Sequence, residues 1–204
     1  MADIPVPKDM WKDCDVIWGV PKKSKKTTTK KSMSLNRFLE VQNRLINNKT
    51  MYELALDEIN GQKKLNHWIW YIFPQLKGLG TSFNSNYYGL DVNEVNDYID
   101  NDVLYNRLIE ITEALLKNNK PIEDIVGPID TLKIKSSMTL FYLKTNNDLF
   151  KKVLDKFYNG KYCEYTKEKV EWLRCVIYFI KHVCFVLRPA YILFSFRLYW
   201  YGKY

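Results

Sequence analysis

The sequence has few of the residues that build metal centres or disulfide frameworks. It contains four cysteines and two histidines in 204 residues, with no C-x-x-C pair and no cysteine–histidine spacing suited to zinc. We therefore expect no metal, no cofactor and no disulfide framework. Free cysteines of this kind are typical of a reduced, intracellular protein.

Glycine and proline are also scarce, at eight and seven residues, while 47 % of the chain is hydrophobic. This composition excludes wholesale disorder and leaves enough apolar side chains for one domain with a core. The first residues include Asp3 and two prolines but no continuous apolar stretch. We therefore expect a protein that is not secreted.

Acidic residues are unevenly distributed, which decides how the net charge of +8 is interpreted. Residues 1–34 carry a net +4, residues 35–173 a net −1, and residues 174–204 a net +5 with no acid. A domain that binds duplex nucleic acid carries its basic surface on the folded body. The neutral body therefore excludes duplex nucleic acid as its partner, and the charge belongs to the two ends.

The composition divides the chain into an arm of residues 1–33, a domain of residues 34–173 and a tail of residues 174–204. Residues 22–32 contain six lysines and no apolar periodicity, which predicts a disordered linker. A nuclear-import signal or an arm that touches nucleic acid are alternative interpretations. We expect a cytoplasmic protein, with nuclear entry through this arm or membrane association through the tail as the alternatives.

The tail has 22 apolar residues of 31, yet the free energy of insertion does not favour a membrane-spanning helix. Its apolar side chains favour insertion by about 5 kcal/mol, and Lys181 and Arg188 cost about 2.5–3.5 kcal/mol each. A helix with a basic stripe could instead lie at a membrane surface, bind a protein partner or dock on the domain. A fourth interpretation is a mistranslated or poorly folded extension.

Helical patterns and caps recur through the central region, and none of its segments alternates like a strand. One helix is predicted from Ser34 to Ile46 and another over residues 51–60, after a Thr50–Glu53 capping box and before a left-handed Gly61. Further helices are predicted after Asp91, over residues 102–120, 131–143 and 148–158, and after Thr166. The sequence therefore predicts an all-α fold, a compact multi-helical single domain with an apolar helical extension.

The densest aromatic segment, residues 67–82, is the first candidate for a functional site. His67 is the candidate general base, Trp68 or Trp70 could stack on a planar group, and Gln75 would lie on the same wall of a pocket. The glycines at 78 and 80 allow a tight loop whose backbone N–H groups could hold an anion. The alternative interpretation places both tryptophans in the core and makes the histidine structural.

The second candidate segment is residues 126–141. On a helix, Asp130, Lys133 and Ser137 recur at offsets of three and four, and Ser136 adjoins them. Such a strip of one cation and two hydroxyls suits a phosphate or a carboxylate. Alternatively, Asp130 is an N-cap and the serines bond to their own helix.

Together with Phe150, Leu154, Asp155, Phe157 and Gly160 near the end of the domain, these two segments resemble the DUF1810 family, over about residues 35–173. The residues that carry the resemblance are His67, Trp68, Trp70, Phe73, Pro74, Gln75, Gly78, Leu79, Gly80, Ser82, Glu94, Tyr98, Arg107, Gly127, Pro128, Asp130, Lys133, Ser136, Ser137, Met138, Thr139, Leu140 and Phe141. The resemblance implies a mainly α-helical domain and no particular reaction. The chain departs from the family pattern at Ile129, where an aspartate is usual, and at Asn101-Asp102, where His-Pro is common.

Two functions are consistent with these patterns. In the first, a pocket between helices binds or processes a small phosphorylated, nucleotide-like ligand, with the two candidate segments as its walls. In the second, the domain is a non-catalytic adaptor that acts through its basic arm and its membrane- or partner-binding tail. Convergence of the polar side chains into one concavity would favour the first.

Overall fold

The computed structural model describes the backbone of residues 28–172 and the side chains of residues 35–172. The packing described below concerns residues 35–172, which belong to one compact unit. The predictions for the disordered linker and for the tail lie largely outside the described residues. Within the described residues, no helix is long and apolar enough to cross a membrane.

The described elements are helical apart from one short hairpin, which confirms the predicted all-α fold. The helices are α1 (Thr28–Asn43), α2 (Met51–Asn60), α3 (Ile69–Ile72), α4 (Phe83–Tyr87), α5 (Val92–Ile99), α6 (Asp102–Lys117), α7 (Ile122–Val126), α8 (Pro128–Thr145), α9 (Asp148–Tyr158) and α10 (residues 164–172). The hairpin pairs β1 (Leu45–Ile46) antiparallel with β2 (Lys49–Thr50). Helix α8 is the centre of the domain and packs against α3, α7 and α9.

The first predicted helix is wrong at both ends. Helix α1 begins at Thr28, within the predicted linker, and ends at Asn43. Leu45 and Ile46, which the prediction placed on its apolar face, form β1 and are exposed. The reason is the turn at Asn47 and Asn48, both of which adopt positive φ angles. Asparagine tolerates this conformation, and a two-residue turn with both φ angles positive favours a hairpin.

The caps of α2 and α5 confirm two predicted capping boxes. Thr50 accepts a hydrogen bond from the Glu53 N–H at 3.2 Å, while Glu53 accepts one from the Thr50 N–H at 2.7 Å. Asp91 and Glu94 make the same reciprocal arrangement before α5. The predicted left-handed Gly61 is wrong, because its φ is −73°. The next residue, Gln62, has the left-handed conformation instead, with a φ of +55°.

The later helices largely follow their sequence patterns. Asn101 caps α6 by accepting a hydrogen bond from the Leu104 N–H at 3.1 Å, and α9 covers the predicted residues 148–158. Helix α8 begins at Pro128, three residues before its predicted start. Proline is favoured in the first helical turn, where its missing N–H costs no hydrogen bond. Gly127 precedes it with a φ of +83°, a conformation that favours glycine.

A ladder of aromatic rings crosses the core. Tyr98 lies between Phe38 and Phe141, with ring centroids 5.5 Å away on both sides. Phe141 continues the ladder to Phe150 at 5.8 Å. All four side chains are fully buried, so this ladder joins α1, α5, α8 and α9 into one core.

Candidate functional site

Glu58, near the end of α2, organises the segment that leads to the first candidate residues. It is almost fully buried and accepts hydrogen bonds from the backbone N–H groups of Leu65 (2.7 Å) and Asn66 (3.1 Å). The indole Nε1 of Trp68 donates a third at 2.7 Å, and the Asn66 side chain donates a fourth. Burial raises the pKa of Glu58, but these donors outweigh it and hold the pKa below its ordinary value.

His67 and Trp68, the first two residues of the aromatic segment, lie in different environments. Trp68 is fully buried and its indole N–H is bonded to Glu58, which makes it a core residue. The expectation that Trp68 stacks on a ligand is therefore corrected, because its ring is already enclosed. His67 is exposed, and its imidazole has no hydrogen-bond partner among residues 35–172.

Trp70 and Gln75 contact the second candidate segment. The Lys133 ammonium lies 4.3 Å from the centre of the half-buried Trp70 ring, within the range of a cation–π interaction. The Gln75 Nε2 donates a hydrogen bond to the Lys133 backbone carbonyl at 3.0 Å. Three of the predicted site residues, from α3, the following loop and α8, therefore meet in space.

Asp130 holds two ammonium groups at once. Its Oδ1 lies 2.7 Å from the Lys133 Nζ, and its Oδ2 lies 2.8 Å from the Lys64 Nζ. The three side chains are only 13 %, 21 % and 10 % exposed, for Asp130, Lys133 and Lys64 respectively. We call these three residues the Asp130 cluster. Asp130 is thus neither an N-cap nor a free acid, and it lies in the first turn of α8.

Lys64 is the site residue that sequence reasoning missed. Its backbone N–H donates to the Ile125 carbonyl at 2.7 Å, which fixes it against α7, and its ammonium lies 5.3 Å from the centre of the Trp68 ring. Lys64 lies 66 residues before Asp130 in the sequence, in a segment without helical periodicity. Only its proximity to the aromatic segment could have suggested a role.

The two serines do not join the Asp130 cluster. Ser137 is fully buried, and its hydroxyl has no hydrogen-bond partner among the described residues. The Ser136 hydroxyl is also buried and lies 2.8 Å from the Thr166 Oγ1 on α10. The expected polar strip is therefore interrupted after Lys133, because the middle of α8 is buried on all sides by its neighbours.

The glycine loop after Gln75 is covered by α10. The Tyr165 hydroxyl donates to the Gly78 carbonyl at 3.0 Å, and the Lys169 ammonium donates to the Lys77 carbonyl at 2.8 Å. Gly78 has a φ of +92°, and a Cβ at this position would lie 2.9 Å from the Lys169 Nζ. The positive φ therefore favours glycine at this position, and a larger side chain would displace the flexible Lys169 ammonium. Anion binding by the N–H groups of this loop stays a prediction.

The Asp130 cluster has the chemistry of an anion site. An ammonium group has three N–H donors, and the described contacts of each lysine with Asp130 use one of them. Because one carboxylate faces two cations, the three side chains carry a net charge of +1. Their limited exposure weakens screening by solvent, so an anion would interact more strongly here than on an open surface.

The fold is that of an all-α domain organised around one long central helix. The model of a family described as "Protein of unknown function (DUF1810)" matches residues 32–170. The chain belongs to the DUF1810 family.

The chain is also similar to a protein of known structure. The crystal structure of the conserved hypothetical protein Rv1873 from Mycobacterium tuberculosis shares 36 % sequence identity with it, at a TM-score of 0.61. The similarity covers 66 % of this chain and 94 % of that chain. Among curated proteins, none matches the chain.

The pKa of Asp130 predicts how the cluster contributes to stability. Burial raises this pKa, but the hydrogen bonds and charges of Lys133 and Lys64 outweigh burial and lower it below its ordinary value. The cluster therefore stabilises the folded state fully above about pH 4, the ordinary pKa of an aspartate in an unfolded chain. This stabilisation is lost as the pH falls through the lower pKa that Asp130 has in the folded state. We expect Asp130→Asn to lower the free energy of unfolding by about 2 kcal/mol at pH 7. This value lies between the typical cost of breaking an exposed ion pair and that of breaking a buried one.

Urea denaturation of both proteins from pH 7 to pH 2.5 measures this difference, which should shrink at the acid end. Asp155→Asn is the matched control, because Asp155 pairs with Lys151 on the surface and its side chain is 53 % exposed. We expect a much smaller penalty from the control, because solvent screens a surface ion pair. A penalty for Asp130→Asn that is the same at both ends of the pH range would show that the lysines do not stabilise the folded state through the ionised carboxylate.

Proposed function

We propose that the domain binds a small phosphorylated, nucleotide-like ligand whose phosphate lies against Lys64 and Lys133. The observation that carries this proposal is that Asp130 holds both ammonium groups on its two oxygens, at 2.8 and 2.7 Å. A carboxylate shared in this way keeps two cations close together despite their mutual repulsion. A phosphate, with several acceptor oxygens, can bridge them.

The surroundings of the cluster support a ligand that has a planar part. Trp70 is half-buried beneath Lys133, so its exposed edge offers apolar contact next to the cation. The body of the chain carries a net −1, and no broad positive field assists binding. Affinity therefore depends on a few close contacts, and moderate salt should weaken it only mildly.

His67 is the residue through which binding would extend to catalysis. It is the one histidine among residues 35–172, and its ring is exposed. A ligand held at Lys64 could approach it, since only two residues separate Lys64 from His67 in the chain. In this proposal His67 acts as a general base, and Lys133 holds the anionic group.

Binding of AMP by the full chain, measured by isothermal titration calorimetry, tests the proposal. We expect Lys133→Ala and Lys64→Ala each to weaken binding at least tenfold, because each removes one cation from the phosphate. Lys133→Arg keeps the charge and should retain more affinity than Lys133→Ala. His67→Ala should leave binding nearly unchanged.

Lys152→Ala is the matched control, since Lys152 is exposed on α9 and its removal changes the net charge equally. Circular dichroism melts identify any variant that loses its fold. Equal AMP affinity for the unaltered chain, Lys64→Ala and Lys133→Ala would exclude this site as the phosphate site. Loss of affinity in Lys152→Ala would show that only net charge matters.

The adaptor function is the second candidate, and the composition of the tail favours it. Residues 174–204 lie outside the described residues and combine 22 apolar side chains with five cations and no acid. Such a segment suits an anionic membrane surface or an acidic partner. The lysine-rich residues 22–32 would add nuclear import or a second contact.

Fluorescence imaging of the full chain and of a chain that lacks residues 174–204 tests this candidate. We expect the deletion to shift the protein from membranes to the bulk cytoplasm. Substitution of Arg174, Lys181 and Arg188 by glutamine keeps the length and should reduce the membrane fraction as well. An unchanged distribution of both variants would contradict a role of the tail in membrane binding.

A further inference from the structure

A cleft of about 380 Å³ lies between α1, α4, α5 and the loop that contains Lys77. None of its lining residues belongs to the Asp130 cluster or to the other candidate residues. They are Arg37, Lys77, Phe83, Asn86, Tyr87 and Glu94. The volume is within the range of small-molecule sites.

Two aromatic rings form one wall of this cleft. Phe83 and Tyr87, one turn apart on α4, stack with centroids 5.6 Å apart and an angle of 10° between their planes. Phe83 is 77 % exposed and Tyr87 is 47 % exposed. An exposed stack of this kind leaves a large apolar ring face in water, which costs free energy unless something covers it.

The position of this stack is fixed by the core. Tyr87 makes an edge-to-face contact with Tyr88 at 4.9 Å. Tyr88 in turn contacts Tyr71 at 5.3 Å and Phe38 at 5.8 Å. The exposed rings are therefore the end of an aromatic network that begins in the buried core, and they are held in place before any ligand arrives.

The other lining residues are polar, and together they are nearly neutral. Arg37 donates two hydrogen bonds to Glu94, both at 2.9 Å, so their charges cancel. Lys77 is exposed and lies 3.3 Å from Asp91, a surface pair that contributes little. Asn86 is exposed and donates from its amide nitrogen to the Thr81 carbonyl at 3.2 Å. These groups can form hydrogen bonds with an uncharged ligand.

We propose that this cleft binds a planar heteroaromatic ring with a polar edge, of the purine nucleoside type. The flat face of the ring would extend the Phe83–Tyr87 stack, as bases do on aromatic side chains. Its donor and acceptor edge would meet Asn86. An acyl chain fits less well, because it would leave the polar lining residues without partners.

This site is independent of the proposed phosphate site, and adenosine separates the two because it carries no phosphate. Adenosine binding by the full chain, followed by calorimetry or by chemical-shift changes, should saturate in the micromolar to low millimolar range. Phe83→Leu keeps an apolar side chain but removes the ring, and we expect it to weaken binding about tenfold or more. Phe83→Trp keeps a ring and should retain the affinity.

Two control variants complete the experiment. Leu65→Ala removes an apolar side chain of similar exposure, 69 %, that does not line the cleft, and it should bind adenosine normally. Lys133→Ala should also bind adenosine normally, whatever its effect on AMP. The inference is overturned if adenosine does not bind saturably, if Phe83→Leu binds as well as the unaltered chain, or if Lys133→Ala alone abolishes binding.

Discussion

Asp130 connects two parts of the chain that are distant in sequence. Its carboxylate receives Lys133 from the next turn of α8 and Lys64 from the segment after α2. Removing a partly buried carboxylate would leave two cations facing each other with reduced screening. The positions of the Lys64 ammonium and of the Lys133 ammonium above Trp70 therefore depend on this one ionised group.

Glu58 is a second buried carboxylate, and it positions the aromatic segment. It stabilises the 65–68 segment through hydrogen bonds and places Trp68 in the core. Both carboxyl groups have pKa values below the ordinary range, although burial alone would raise them. Uncharged hydrogen-bond donors thus stabilise the Glu58 carboxylate, whereas two ammonium groups stabilise the Asp130 carboxylate. Only the groups around Asp130 have ammonium protons available to a ligand.

Local patterns in the sequence predicted most of the helices because their signals lie within a few residues. The capping boxes at Thr50 and Asp91 and the extent of α9 are of this kind. The end of α1 was mispredicted, because Leu45 and Ile46 continue the apolar periodicity although the Asn47-Asn48 turn makes a hairpin. Apolar periodicity reports only the apolar side chains that recur along a helix, so it cannot detect a turn formed by two polar residues.

The site was predictable only in part, for a similar reason. Asp130 and Lys133 are one turn apart, so helical spacing places them together. The contact with Lys64 depends on tertiary packing across 66 residues, and no local pattern encodes it. The same spacing placed Ser136 and Ser137 in the strip, although packing by α10 and other neighbours buries both. No local pattern distinguishes the exposed Phe83–Tyr87 stack, because aromatic residues at helical spacing usually indicate a core.

The ligand proposed for the Asp130 cluster is a phosphorylated molecule. Mass spectrometry of the small molecules released from the purified full chain tests it most directly. We predict a recurring phosphorylated compound in amounts near one per chain, absent from a folded Lys64→Ala/Lys133→Ala double variant. A chain that releases no phosphorylated compound, or a double variant that releases as much as the unaltered chain, would contradict the claim.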